Sequence, residues 1–263
     1  LKTVTGKNKI KEKKMKRIIT LLVLACLYAG KIFPTTQDEC GTLWQYFGKK
    51  PAEVYQKIGD YQAKLKADSN DYYADLAVGI LYFALAYPTD LHESNAATNV
   101  IAYTDKFLKQ DKDNPLGLVY NGVAHGLLAR DSDNVLVKMV EANNGSSTCD
   151  KAVKLSQGSS GEWYIRFMRA NFYQGLPGFF GKRDIAREDY RFVETLYNKD
   201  TNNNSIAGPM GTVYFYLGEI EKSETNIDKA IEYWKKSVQL NSRFGMDTPE
   251  GRKAKKEIDT FSD

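Results

Sequence analysis

The stretch from residue 211 to 242, GTVYFYLGEIEKSETNIDKAIEYWKKSVQLNS, sets the terms for the rest of the chain. It holds two apolar patterns of helical period, head to tail across the polar turn Ser223-Glu224-Thr225-Asn226. Small residues fall where two such helices must touch: Gly218 in the first, Ala230 and Ser237 in the second. Tyr214, Leu217, Ile231, Trp234 and Leu240 supply the bulk around them. Two helices of this size cannot bury their apolar faces alone, so the hairpin demands neighbours of its own kind.

The preceding chain offers those neighbours. Pro51 suits a first helical position, and residues 52–66 carry Val54, Tyr55, Ile58, Tyr61 and Leu65 at helical spacing. Ser69-Asn70-Asp71 is an N-cap cluster for a helix over 72–87, with Leu76, Gly79 and Tyr82 on its contact face and Pro88 ending it. After a long loop, residues 99–110 form the partner, followed by the turn signal Asp113-Asn114-Pro115. A second unit carries Leu118, Gly122, His125 and Leu128. Its partner starts at Val135, is interrupted at 143–147 (NNGSS) and resumes at Cys149, which predicts two short helices or one broken helix. A third unit spans 163–173, a Leu-Pro-Gly turn and 185–197, before an Asn-rich loop at 200–204. After 211–242, Pro249 opens a Lys-rich closing helix through Phe261. No alternating run of strand length appears, so the expected class is all-α.

Leu217-Gly218, an Ala twelve residues past the glycine and an aromatic four further on resemble the tetratricopeptide repeat. The resemblance covers residues 70–245, strongest at 211–242 and weakest at 135–155. It implies a right-handed helical-hairpin solenoid of about four helix pairs with a C-terminal capping helix. That solenoid would occupy 51–263, after a leader at 1–30 and a linker at 31–50. In this family the first helices line a concave face that binds extended peptides or partner helices. Counted from the small residue of each unit, Tyr73, Phe83, Tyr164, Phe167, Asn171, Phe215 and Glu219 fall on that face, and burial under the next repeat is the other reading of its aromatics. Ile165-Arg166-Phe167, Arg169, Leu176-Pro177, Phe180-Gly181 and Asp189 also resemble helical-repeat proteins of the bacterial envelope. The Leu-Pro turn followed by Gly is similar to the solute-binding accessory (T) component of tripartite periplasmic (TRAP) transporters.

The net charge of +4 is unevenly placed. Residues 1–25 hold eight lysines and arginines against Glu12, so the remainder is net negative and a nucleic-acid partner loses its electrostatic basis. Met15-Lys16-Arg17 followed by the apolar 18–25 (IITLLVLA) has the pattern of an export signal, too short to span a bilayer. Val23-Leu24-Ala25-Cys26 resembles a bacterial lipobox, which implies acylation of Cys26 and a membrane tether by lipid. Cleavage beyond Ala29 is the alternative. With Cys26 acylated, Cys40 and Cys149 remain as a disulfide pair or as two buried thiols. The protein is expected at the bacterial periplasm or outer membrane.

Catalytic chemistry finds little footing. His92 and His125 are the only histidines and lack a recognised metal-ligand spacing. Residues 175–183 (GLPGFFGKR) fail the phosphate-loop pattern, since Phe180 stands where the second glycine belongs and Arg183 follows Lys182. Arg166 and Arg169 share a helix face and suit either an anionic ligand or an ion pair with Glu162, Glu188 or Asp189. No cofactor is expected. The expectation is a non-catalytic binding or scaffolding protein with a protein or peptide partner, and the alternative is an accessory component of a solute transport system.

Overall fold

The computed structural model describes residues 34–87, 93, 95–200, 204–243 and 248–261. The leader with Cys26, and also Pro88, His92 and Asn203, lie outside the described residues. Among the described residues all regular structure is helical and no strand occurs. A short α1 (Gln37–Gly41) and a 3₁₀ turn (Leu43–Tyr46) lead to α2 (Pro51–Ala67), α3 (Tyr72–Ala86) and α4 (Ala96–Gln110). Then come α5 (Pro115–Asp131), α6 (Val135–Ser156), α7 (Glu162–Gln174), a 3₁₀ turn (Gly178–Phe180) and α8 (Arg183–Lys199). A short α9 (Asn204–Ala207), starting at the last residue of the expected Asn-rich loop, precedes α10 (Met210–Ser223), α11 (Ile227–Arg243) and α12 (Pro249–Phe261).

Helix starts follow capping chemistry. Pro51 and Pro115 occupy the first turn, where the missing N–H costs nothing. Asn114 accepts from the amides of Leu116 and Gly117 at 3.0 and 3.2 Å, and Asn134 from Leu136 and Val137 at 2.9 and 3.3 Å. Of the predicted cap cluster, Asp71 takes the role and accepts from the Ala74 amide.

From α2 onward each helix packs on the next in sequence, α1 packs on α3, and α3, α5 and α7 also touch one another in succession, as α8 touches α10 and α10 touches α12. The small residues act as spacers. A Cβ on Gly218 would stand 2.5 Å from Nε1 of the fully buried Trp234. The Ser237 hydroxyl donates to the Gly211 carbonyl at 2.7 Å. The main core runs from α1 to α11, and a second, with Phe215, Ala230, Trp234 and Ala254, lies between α10, α11 and α12.

Two expectations are corrected. First, α6 is one unbroken helix of 22 residues. Gly145, in the supposed interruption, allows the close approach of α5: a Cβ there would sit 2.5 Å from the Gly122 carbonyl and 2.9 Å from Phe172. Tertiary contact thus overrides the poor helix propensity of Asn, Gly and Ser. Second, residues 34–50 are not a detached linker. Thr35 donates its amide (3.1 and 2.9 Å) and its hydroxyl (2.9 Å) to the Asp71 carboxylate, Tyr61 and Lys64 hold Glu39, and Cys40 and Leu43 are buried. Of the two readings left open for the cysteines, the structure has Cys40 and Cys149 as buried, free thiols. The Cys40 thiol donates to the Tyr73 carbonyl, while Cys149 lies against Gly122 at the α5–α6 crossing.

Candidate functional site

The first helices of successive hairpins carry a row of aromatic side chains. Phe83 of α3 meets Tyr120 of α5 edge-on, with ring centroids 5.3 Å apart. Tyr120 meets Tyr164 of α7, their hydroxyls 2.6 Å apart. Tyr190 of α8 stacks on Tyr216 of α10 at 5.8 Å with rings nearly parallel, and donates to Oδ1 of Asn171 on α7 at 2.9 Å. At the end of α3, Tyr87 leaves 40% of its surface open. Arg130 of α5 holds this end by donating to the carbonyls of Ala86 and Tyr87 at 3.1 and 3.4 Å, as a cation suits a helix C-terminus.

The phenols of this row stay protonated. Burial pushes Tyr164 up to about 12 against the opposing hydrogen bond from Tyr120. Burial, then the charges of Glu250 and Glu219, push Tyr216 up to about 12. Although part of its ring is open, the protein atoms crowded around Tyr87 desolvate its hydroxyl and raise it, and Tyr216 and Glu250 add to the effect. Phe83, Tyr120 and Tyr190 are buried and form the base of the row, so its accessible part is the open Tyr87 and the half-buried Tyr164 and Tyr216, with neutral hydroxyls.

The predicted face residues divide between this row and the interior. Tyr164 and Asn171 belong to it, and Phe167 is half-buried against the main core. Tyr73 is covered by the N-terminal segment, its hydroxyl 3.4 Å from Gln37. Phe83 and Phe215 are buried, at 1% and 5% exposure, so neither is free to anchor a partner. Glu219 Oε1 and Trp234 Nε1 face each other without closing a hydrogen bond of good geometry. Tyr87, Tyr120, Tyr190, Tyr216 and Arg130 were not singled out from sequence. A signal existed for two of them, because Tyr120 and Tyr216 each precede the contact glycine, Gly122 or Gly218, by two positions.

Arg166 and Arg169 are engaged in ion pairs. Arg166 contacts Glu162 at 2.7 Å and Asp189 at 2.8 Å, with its guanidinium over the Phe192 ring. Arg169 contacts Asp189 and Asp150, both at 2.8 Å. Asp150 also receives Tyr173 at 2.6 Å and Lys182 at 3.2 Å. Burial works against its ionisation, yet those hydrogen bonds and the charges of Lys182 and Arg169 hold its carboxyl below the usual aspartate range. Asp189 is fully buried, so both guanidiniums are committed to knitting α6, α7 and α8 together.

The remaining reactive groups are also occupied or protected. Nδ1 of His125 lies 2.5 Å from Glu141. Burial pushes the Cys40 thiol up to about 12 and raises Cys149 further, so neither offers a thiolate. No group of three or more His, Cys, Asp or Glu placed to hold a metal is found among the described residues. No family model matches the sequence, and no curated protein matches it.

Proposed function

We propose that the protein is a non-catalytic binding protein of the bacterial cell envelope, built as a right-handed, tetratricopeptide-like solenoid of four hairpins (α3–α4, α5–α6, α7–α8, α10–α11) closed by α12. The aromatic row on its first helices receives an extended peptide or a helix of a partner protein. The observation that carries this reading is the row itself, open at Tyr87 and running through α3, α5, α7 and α10. Rigid aromatics bearing a polar tip are the side chains that anchor interfaces. The export pattern of the leader supports the location, with Cys26 as the point of lipid attachment.

A second reading rests on one observation. Tyr87 from the first hairpin lies within electrostatic reach of Tyr216 and Glu250 from the last elements. A groove between these elements would suit a small solute, as the accessory role in transport requires. Both readings are tested by affinity isolation from membranes of the native host with wild type and a Tyr87→Ala/Tyr216→Ala variant. A protein partner retained by wild type and lost from the variant supports the first. A co-purifying small molecule lost in the same way supports the second, and identical recovery by both chains refutes both.

A further inference from the structure

The outer arc of α6 changes character along its length. In its first two turns Val135, Leu136, Val137, Met139 and Val140 are all exposed, Leu136 to 73% and Val135 to 67%. At about 100° per residue these five side chains sweep an arc of roughly 200°. Further along, the outer arc carries exposed Asn143, Asn144, Ser147 and Lys151 instead. The bare turns arise from a mismatch of length, because α6 has 22 residues and α7 only 13. Contacts with α7 begin at Gly145, against Phe172, and continue through Ser146 with Tyr173 and Asp150 with Arg169.

The direction of the helices places a second apolar group on the same edge. His125 pairs with Glu141 and Gly122 with Gly145, so α5 and α6 run antiparallel, and the α6–α7 contacts make α7 antiparallel in turn. The α5–α6 junction and the turn after α7 therefore lie toward the same end of the helices. In that turn Phe179 is 75% exposed and stacks on Phe180 at 4.7 Å.

We propose that this edge, the first two turns of α6 with the Phe179 turn, docks on an anionic lipid surface. A helix seated in a protein groove presents a narrow apolar stripe, whereas an arc this wide suits immersion among headgroups and upper acyl chains. Lys138 lies within the apolar run and Arg183 follows the Phe179 turn, and neither has an ion-pair partner among the described residues. Of the acidic neighbours, Asp131 contacts Arg130, Glu141 contacts His125 and Asp184 contacts Arg187, which leaves the two cations set against Asp133. Such cations add attraction to negatively charged headgroups. No helix among the described residues is long and apolar enough to cross a membrane, so this edge lies on the surface. The proposal is independent of what the tyrosine row binds.

Sedimentation of the full chain with vesicles of phosphatidylcholine, alone or mixed with phosphatidylglycerol, tests it. Wild type is expected to sediment with the mixed vesicles and less with phosphatidylcholine alone. A Leu136→Glu/Phe179→Glu variant with an unchanged helical spectrum is expected to bind at least about tenfold more weakly. In a Phe179→Trp chain the added emission is expected to be quenched by vesicles carrying brominated acyl chains. Absence of vesicle binding by wild type overturns the proposal. So does binding that is unaffected by the paired substitution and leaves the new tryptophan unquenched, because another segment, such as residues 18–25, then makes the contact. A dimer seen by light scattering, broken by the same substitutions and unresponsive to vesicles, assigns the edge to a second copy and also overturns it.

Discussion

Asp189 has no exposed surface and accepts from both Arg166 and Arg169, so removing its charge leaves each guanidinium one carboxylate short, with only Glu162 for Arg166 and Asp150 for Arg169. Breaking one side of a buried pair costs about 3–5 kcal/mol. Asp189→Asn is expected to lower stability by that order in urea unfolding, with the helical content of the folded state retained. Glu219 shows the opposite sign. Burial, assisted by Glu257, raises its carboxyl above the ordinary 4.5, against Lys222, Lys253 and Trp234. The folded chain then binds more protons at this site than the unfolded one, and the contribution of Glu219 to stability falls as pH rises above about 4.5. Glu219→Gln is therefore expected to raise the urea midpoint at about pH 7, with the gain shrinking toward about pH 4. A variant less stable than wild type at neutral pH would contradict the burial argument. Arg166 and Arg169 sharing one face was legible in the sequence, and so were Glu162 and Asp189 as acceptors. The convergence of both arginines on one carboxylate was not, because Asp189 lies 20 residues from Arg169 on another helix.

At the scale of the element, α6 makes the most instructive case. In an exposed helix Gly→Ala gains about 1 kcal/mol through backbone entropy. At Gly145 the new methyl would meet the Gly122 carbonyl and the Phe172 ring, so α5 and α7 would have to shift. Gly145→Ala is expected to lower the thermal midpoint, whereas a stabilised variant would show that the α5–α6 crossing yields easily. The same residues explain the misreading of this helix, since local propensity saw a breaker in Asn143 to Ser147 while the fold uses the small residues as a spacer. By contrast, α10 and α11 were legible almost to their ends. Both carry amphipathic periods, and Gly218 and Trp234 fit one another as their spacing implied. The segment over 34–50 was illegible for a different reason. It is held by Thr35 on Asp71 and Glu39 on Lys64 and Tyr61, pairings across long stretches of chain that leave no period.

Across the whole molecule, the helical class was legible from the apolar periods, and Gly79, Gly122 and Gly218 sit where helices approach closely. The tyrosine row was only half legible. Tyr164 and Asn171 follow from counting along the repeat, but the stacking of Tyr190 on Tyr216 joins the second helix of one hairpin to the first of the next. The pattern of packing also has a mechanical meaning. Helices touch their near neighbours in sequence, while the N-terminal end is clasped where Thr35 meets Asp71. Tension applied to the two ends would thus meet α12 first from the C-terminal side, where it rests on α10 and α11 alone among the closely packed elements. Held between optical traps, the chain is expected to lengthen in successive rips beginning with α12, as one-dimensional arrays do. Thr35→Val should add an early rip from the N-terminal side, and a single all-or-none rupture would refute this picture of a seam that opens from one end.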